Sequence, residues 1–459
     1  MATPVITGER ASARTAAPGT APRPVSTAAL RRAVDTPPGR LRLAGAVLAA
    51  LVLLFGAVTA WQAGSRATAS GHVAGRSGPL SQDAAEIYRS LADADTTAAS
   101  GFLLAGAEPA AVRKRYQDDL ATASRLLAEA SARAGADADA QRWISELNQQ
   151  VPQYAGLVET ARANDRQGLP LGGAYLRYAS TLMQDTMLAN AQHLVDAESR
   201  QLDGDYADAE SLPWAALALG LLALGALARY QLVLFRRTNR VFNPGLVTAS
   251  ATLLVAVLWL LIGSLSAGSW LADSRTYGTE PLMALNQART QALQAHTAEN
   301  LNLVARGSSD TYTKRWAAVT DALAGPAGQD GAARDGGSLA QALRLAPRDA
   351  SDRVAEARKQ FTGWDARHRQ AAEKEGAGDF DAALQGTVGA GRDDTAEASF
   401  AALDQQLGRA ATVERARFKA EADGVDGTLE ALAVGAAVLA VLSAVAVVRG
   451  IGRRLADYR

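Results

Sequence analysis

Two uncharged apolar segments, joined by an arginine-rich elbow, constrain the fold of this 459-residue sequence more than any other feature. The segments cover residues 212–228 and 241–272, and neither contains Asp, Glu, Lys or Arg. Apolar runs of this kind predict membrane-spanning helices. The elbow between them contains no acidic residue and four arginines, which are Arg229, Arg236, Arg237 and Arg240. Because basic residues are retained on the cytoplasmic side, we predict a helical hairpin with its elbow in the cytosol.

Two further apolar segments complete a set of four predicted transmembrane helices, at residues 43–63, 212–235, 244–272 and 428–448. The last is followed by Arg449, Arg453 and Arg454. The pieces assigned to the cytosol hold 15 Lys and Arg residues against 3 Asp and Glu residues, which predicts that both chain termini are cytoplasmic. A cleaved signal peptide is the alternative for the first segment, but its 42-residue leader is long for one.

The two large segments between the predicted spans, residues 64–211 and 273–427, each predict a four-helix bundle. Apolar residues recur at steps of three and four, as in Leu80, Ala84, Ile87 and Leu91, which is typical of amphipathic helices. An up-down bundle buries four such stripes with short connections. We therefore predict an all-α membrane protein with four transmembrane helices and two extracytoplasmic up-down four-helix bundles.

The two large segments also resemble each other, which indicates a tandem duplication. Lys114-Arg115-Tyr116 matches Lys314-Arg315-Trp316, and other short matches recur in the same order at offsets near 200. The remaining pieces are a disordered basic cytoplasmic tail (residues 1–42), a cytoplasmic arginine-rich loop (236–243) and a cytoplasmic tail (449–459). Both large segments carry net negative charge, which argues against nucleic acid as a partner.

No residue pattern in the sequence predicts catalysis, a metal site or a cofactor. There is no phosphate-binding GxxxxGK[ST] loop and no cysteine. The four histidines lack metal-ligand spacing, and a lone histidine on a polar helix is expected at the surface; they are His72, His193, His296 and His368. The predicted spans contain no ionisable residue in their cores, which disfavours a transporter component.

Small residues at four-residue spacing within the spans predict close helix packing in lipid. The pairs are Gly45 with Ala49, Ala216 with Gly220, and Ala431 with Gly435. The alternative is that the high alanine content produces such pairs by chance.

Candidate ligand-binding residues lie at the start of the second helix of each predicted bundle. Arg113 and Arg115 lie beside Tyr116 in the first, and Arg315 precedes Trp316 in the second. An arginine fork can bind a carboxylate through two hydrogen bonds, and the aromatic ring could shape a pocket. The alternative is a solvated helix start with a buried aromatic residue.

Residues 96–127, in which Phe102-Leu103-Leu104-Ala105-Gly106 ends one helix and Tyr116 begins the next stripe, resemble the four-helix-bundle sensor modules of chemoreceptors and sensor kinases. The arrangement of four spans and tandem bundles resembles the GlnX-like membrane proteins of actinobacteria. Members of that family function with a glutamate/aspartate-binding lipoprotein and with protein kinase G, a soluble Ser/Thr kinase. The resemblance implies an extracytoplasmic solute-binding lipoprotein and a cytosolic Ser/Thr kinase or other effector as partners, and it transfers no functional residue.

We therefore expect a non-enzymatic signal transducer in the plasma membrane that relays an extracytoplasmic signal to a cytosolic partner. The signal would be a small ligand or a loaded solute-binding protein, and the partner would contact the basic elbow and tails. The fourth helix of each bundle would transmit the change, although Gly204, Gly424 and Gly427 form flexible joints in its path. The alternative function is a structural scaffold of the cell envelope, and a transporter component is a weaker third.

Overall fold

The computed structural model describes residues 37–104, 108–135, 137–238, 243–307, 310–327, 334–388, 392–422 and 426–456. Within these ranges the chain forms helices and turns and contains no strand, which confirms the predicted all-α class. The predicted tail up to residue 36, Arg240 and Gly424 lie outside the described residues. The helices are α1 (Pro37–His72), α2 (Gly78–Leu103), α3 (Ala110–Arg133), α4 (Ala138–Arg166), α5 (Leu171–Leu182), α6 (Leu188–Glu210), α7 (Trp214–Thr238), α8 (Pro244–Ser274), α9 (Glu280–Val304), α10 (Asp310–Ala324), α11 (Gly337–Leu345), α12 (Arg348–Gly376), α13 (Phe380–Val388), α14 (Ala396–Ala422) and α15 (Asp426–Ala456).

Four helices, α1, α7, α8 and α15, are long and apolar enough to cross a membrane, as the sequence predicted. They pack in a closed ring, because α1 and α8 each contact both α7 and α15. Phe55, Val52, Leu253 and Val447 are completely buried between them, while apolar side chains such as Leu221 and Val438 point outward. An apolar exterior around an apolar core is what a helical bundle in lipid requires, so the chain is a multi-pass membrane protein.

Glycines set the closeness of the four spans. A Cβ atom added to Gly45 would lie 2.7 Å from the Ile451 side chain, and one added to Gly220 would lie 2.6 Å from the Val257 side chain. At Gly435 the nearest atom would be Trp259 Nε1, at 3.0 Å. A side chain at these positions would require the neighbouring side chains to move. The predicted close packing is confirmed at all three glycines.

Two helices run without a break from a span into a bundle. A π-helical turn (Val73–Ser77) joins α1 to α2, and another (Arg275–Thr279) joins α8 to α9. The first residues of these two turns are 202 positions apart, and the last residues of α2 and α9 are 201 apart. An equivalent irregularity at an equivalent place supports the tandem duplication that the sequence indicated.

The first bundle consists of α2 to α6, in which α5 and α6 form one long arm through a third π-helical turn (Met183–Met187). Its predicted joint at Gly204 is wrong, because α6 continues as a helix to Glu210. The chain leaves helical geometry at Ser211, and α7 begins at Trp214 after Pro213, which cannot continue a helix from the preceding turn. The connection through the fourth arm is therefore interrupted, whereas the first arm is continuous.

The second bundle consists of α9 to α14, and its second and fourth arms are each divided into two helices. The second helix of the second arm, α11, begins at Gly337. Gly325 and Gly337 have φ angles of +91° and +63°, which glycine adopts without strain. The fourth arm likewise contains the short α13 before α14. Gly427 lies inside α15 and is helical.

Candidate functional site

The two bundles meet along their first helices, α2 and α9. Thr96 Oγ1 lies 2.6 Å from Thr297 Oγ1, at positions 201 residues apart in the duplicated sequence. Gln294 Nε2 donates a hydrogen bond to the Tyr88 hydroxyl in the same interface. Both threonines are buried, at 3% and 1% exposure. The contact is therefore an internal interface between two related halves, arranged as a dimer within one chain.

Three ion pairs join the bundles around this contact. Arg115 lies 3.9 Å from Asp404, Arg415 lies 3.7 Å from Glu86, and Arg315 lies 3.3 Å from Asp185. Each pair is partly exposed, so its net contribution to stability is about 0–1 kcal/mol. Such pairs fix the relative orientation of the bundles more than they hold them together.

A cavity of about 490 Å³ lies between the bundles, enclosed by α2, α6 and α9, and we call it the inter-bundle cavity. Its volume lies within the range of small-molecule sites. Eleven of its 17 lining residues carry a hydroxyl or amide side chain, and the one carboxylate among the described lining residues is Asp196, which accepts a 2.8 Å hydrogen bond from Gln192. The amide side chains are Gln82, Gln192, Asn286, Gln287, Gln291 and Gln294.

This wall can recognise polar ligands. Each amide offers both a donor and an acceptor, so the cavity can bind a small polar solute through many neutral hydrogen bonds. A solute there would touch both bundles at once, because α2 and α6 belong to the first and α9 to the second.

A buried carboxyl group anchors the core of the first bundle beside the interface. Asp95 in α2 accepts hydrogen bonds from the Tyr154 hydroxyl at 3.1 Å and from Ser180 and Gln184 at 2.8 Å each. Burial raises the pKa of Asp95, and these three hydrogen bonds act in the opposite direction. The carboxyl links α2 to α4, to α5 and to the π-helical turn at Met183–Met187.

The second bundle also holds a buried carboxyl group, Glu299 in α9, at a position that does not align with Asp95 and with a different set of partners. Its Oε2 is 3.0 Å from His296 Nδ1 and accepts a 2.9 Å hydrogen bond from Trp364 Nε1, while its Oε1 is 2.9 Å from His368 Nδ1. Burial by itself would raise the pKa of Glu299, but the hydrogen bonds and charges of His296 and His368 lower it to about 2. The expectation that these two histidines lie at the surface is wrong, because the fold brings both to one buried carboxylate.

The predicted ligand-binding residues of the first bundle are engaged in internal contacts. Arg113 pairs with Glu108 at 2.9 Å, and Arg115 pairs with Asp93 at 2.8 Å. Tyr116 is 3% exposed, and the Arg162 guanidinium carbon lies 4.4 Å from its ring centroid.

In the second bundle, Trp316 is buried with its ring stacked 3.7 Å from that of His368. Arg315 faces Asp185 across the interface. Tyr116 and Trp316 thus match the buried-aromatic alternative, Arg115 and Arg315 contribute to the junction of the bundles, and a role for these residues in ligand binding stays a prediction.

The arginines predicted to face the cytosol lie at the end of the spans opposite the bundles. Arg229, Arg236, Arg449 and Arg453 are exposed. The side chains of Arg237 and Arg454 lie outside the described part of the structure, as does Arg240. Asn243 at the elbow donates a 2.7 Å hydrogen bond to the Gly450 carbonyl, so the start of α8 is attached to the end of α15. The start of α8 and the end of α15 therefore lie side by side.

Sequence reasoning did not find the inter-bundle cavity or the two buried carboxyl groups. One signal was present for the cavity: Gln287, Gln291 and Gln294 are spaced by four and three residues, which places an amide stripe on one face of α9. Asp95 and Glu299 carry no such signal, because most of their partners are distant in the sequence. The partners of Asp95 are 59 to 89 residues away. Those of Glu299 are 65 and 69 residues away, except for the nearby His296.

Residues 69–207 match the family model described as "Actinobacterial sensor domain". The match begins near the end of α1 and covers the whole first bundle up to the last turn of α6. It supports a sensor protein of the actinobacterial type with four apolar helices, and it covers the half of the inter-bundle cavity formed by α2 and α6. No curated protein and no solved structure matches the chain.

Proposed function

We propose that this protein is a non-enzymatic transmembrane signal transducer that relays an extracytoplasmic signal to a cytosolic partner. The observation that supports this most directly is the pair of continuous helices, α1–α2 and α8–α9, each running from a span to the interface between the bundles. The sensor-domain match covers one side of that interface. In this proposal the spans lie in the plasma membrane and both bundles are extracytoplasmic. Both termini and the arginine-rich elbow face the cytosol.

The inter-bundle cavity gives the signal a place to act. A ligand shifts an equilibrium only if it binds one arrangement more tightly than another, and a solute touching α2, α6 and α9 would favour the arrangement that fits it. We propose a small polar solute related to amino acids, free or presented by a solute-binding lipoprotein. The amide wall supports a ligand of this class. The cytosolic partner, a Ser/Thr kinase or other effector, would contact the exposed elbow and tail arginines.

The transmission route differs from the expectation drawn from the sequence. The fourth arm of the first bundle is interrupted at Ser211 before its span begins, so it would transmit motion to that span poorly. The first arm of each bundle has no such break and contacts its counterpart directly through Thr96 and Thr297. A shift in this contact would be carried along α1 and α8 to the end that holds the elbow.

Disulfide cross-linking tests the proposal, and the absence of native cysteines makes the result specific. The full-length Thr96→Cys/Thr297→Cys variant in lipid nanodiscs should form an intramolecular disulfide. Its rate of formation should change when L-glutamate, L-aspartate or L-glutamine is added, alone or with a solute-binding lipoprotein. A matched control is Thr96→Cys/Thr313→Cys, in which the second cysteine lies on α10 of the second bundle and away from the Thr96 contact.

The same experiment separates the transducer from the scaffold alternative. A scaffold needs a fixed interface, so its cross-linking rate would be the same with every solute and lipoprotein. Capture of cytosolic protein on the nanodiscs gives the second readout. A transducer should retain a different amount of its cytosolic partner once the disulfide fixes the interface, whereas equal retention by the oxidised and reduced forms would count against transmission.

A further inference from the structure

A second cavity, of about 400 Å³, lies within the second bundle near the far end of α9, and we call it the distal cavity. It shares no lining residue with the inter-bundle cavity. Its polar wall includes Glu299, Asn302, Arg306, Asp310 and Glu375, and its apolar wall includes Trp316. The distal cavity is therefore a separate place where a small molecule could bind.

Two oxygen atoms in this wall lack a donor. Asn302 Oδ1 and Glu375 Oε1 are both shielded from solvent, and neither receives a hydrogen bond from the protein. The two side chains are held together by a 2.8 Å hydrogen bond from Asn302 Nδ2 to Glu375 Oε2. A buried acceptor left without a donor is unfavourable, so a ligand that supplies donors at this point would be favoured.

One carboxylate in the wall of the distal cavity favours a cation. Glu299, Glu375 and Asp310 line the cavity together with Arg306, whose guanidinium lies 5.1 Å from the centroid of the Phe380 ring. Glu299 contacts His296 and His368, and Asp310 pairs with the exposed Lys314 at 3.5 Å. No ion pair reaches Glu375 within the described part of the chain. A cation would therefore be attracted to Glu375.

The first bundle provides an internal comparison. There Tyr116, 200 positions before Trp316, packs against the guanidinium of Arg162, which is paired with Glu108 at 2.7 Å and with Glu159 at 2.7 Å. The first bundle thus supplies its own permanent cation to its aromatic and acidic groups. In the second bundle the aromatic partner is His368, and the carboxylate of Glu375 remains without a protein cation. The duplicated halves have diverged at this place.

We propose that the distal cavity binds the primary ammonium group of a small amine. The group would donate hydrogen bonds to Asn302 Oδ1 and Glu375 Oε1, and its carbon chain would pack against Trp316. An ammonium group is suited to this wall because it carries three N–H donors and a positive charge. This site does not depend on the signalling function or on the inter-bundle cavity. It would make the second bundle a detector of amines in its own right.

Isothermal titration calorimetry of the full-length protein in lipid nanodiscs tests the site, with n-butylammonium chloride as the probe. Butylammonium should bind saturably. Tetramethylammonium, which has the same charge and no N–H donor, should bind at least about tenfold more weakly, which corresponds to the loss of about 1.4 kcal/mol. Equal binding of the two cations, or no saturable heat from butylammonium, would overturn the proposal even without a variant.

Two glutamates in α12 provide a matched pair of variants. Glu375→Gln removes the charge of the unpartnered carboxylate and should weaken butylammonium binding by about tenfold or more. Glu373→Gln removes the same charge two residues away at an exposed position and should leave binding unchanged. Circular dichroism establishes that both variants fold. Unchanged affinity in Glu375→Gln would contradict the assignment, as would equal losses in both variants.

The disulfide-linked Thr96→Cys/Thr297→Cys protein separates this site from the proposed signalling function. Because the distal cavity lies inside one bundle, fixing the interface between bundles should leave butylammonium affinity within about twofold of that of the reduced protein. Loss of butylammonium binding on oxidation would show that the amine binds at the interface between the bundles and not in the distal cavity.

Discussion

At the residue scale, the two buried carboxyl groups show that the two related bundles need not keep one chemistry in their cores. Asp95 accepts from a hydroxyl, another hydroxyl and an amide, whereas Glu299 accepts from an indole and two imidazoles. The neutral donors leave the pKa of Asp95 raised by burial, and the histidines lower the pKa of Glu299 to about 2. The same type of group thus has opposite linkage to pH in the two halves.

Replacing Glu299 with Gln should destabilise the protein by about 3 kcal/mol at neutral pH, because an amide has one acceptor oxygen and cannot serve donors on both sides. The pKa of Glu299 is about 2 in the folded protein against an ordinary value of 4.5, so its contribution is present above pH 4.5 and is lost as the pH falls towards 2. The titratable groups that face Glu299 are His296 and His368, which contact it, and Glu375, which lines the same distal cavity.

Thermal unfolding followed by circular dichroism measures this effect for the wild type and for Glu299→Gln between neutral and acidic pH. The gap in unfolding temperature between the two proteins should be widest near neutrality and should narrow below pH 4.5. The exposed Glu373→Gln serves as the control and should follow the wild type throughout. A gap that stays constant with pH would assign the loss to packing instead of to the ionised carboxylate.

At the scale of the helices, the sequence predicted the positions of the helices better than the way in which they are connected. Periodic apolar residues such as Leu91 and Leu127 are buried where the stripes placed them, because a helix exposes one face at a spacing that can be counted. The continuity of α1 with α2 was not predicted, since an apolar span followed by an amphipathic stripe has the same sequence pattern with or without a break. The predicted flexible joint at Gly204 was wrong because glycine disfavours a helix by only about 1 kcal/mol, which tertiary packing readily overcomes.

A pair of glycines in α1 tests the packing of the spans. A Cβ atom on Gly56 would lie 2.7 Å from Ala440 Cβ, whereas one on Gly64 would have no neighbour within 4 Å. Gly56→Val should destabilise the protein by about 1–3 kcal/mol through overpacking between α1 and α15. Gly64→Val carries the same change in helix propensity without the clash.

The two glycine variants are compared by unfolding in mixed detergent micelles. Gly64→Val should remain close to the wild type, and the difference between the variants isolates the clash from the propensity term. Equal stability of both variants would mean that α1 and α15 can separate without cost, which the close approach of their backbones argues against.

At the scale of the whole molecule, basic and acidic residues are separated along the length of the spans. The exposed arginines Arg236 and Arg453 lie at the end of the spans opposite the bundles, and the bundles carry the acidic surface. The interface between the bundles and its cavity could not be predicted from the sequence, because Thr96 and Thr297 lie among small residues and have no distinctive pattern. The four-span plan could be predicted, but the candidate site could not.

Labelling with a membrane-impermeant maleimide tests the proposed orientation in intact cells. Lys114→Cys and Lys314→Cys are exposed, equivalent positions in the two bundles, and both should react before permeabilisation. Arg236→Cys and Arg453→Cys should react only after permeabilisation, since the elbow and the last tail are proposed to face the cytosol. The reverse order of labelling would invert the topology and remove the basis for an extracytoplasmic signal.

The π-helical turns at Val73–Ser77 and Arg275–Thr279 have a consequence for how the chain tolerates changes in length. A π-turn of this kind stores one surplus residue within an otherwise α-helical rod. Losing one residue elsewhere in α1 or α8 would rotate everything beyond it by about 100°, because an α-helix has 3.6 residues per turn. Losing it within the turn would relax the segment to regular α-helix and keep the faces on both sides aligned. The boundary between each span and its bundle is thus a stretch where one residue can be lost without turning the bundle relative to the span.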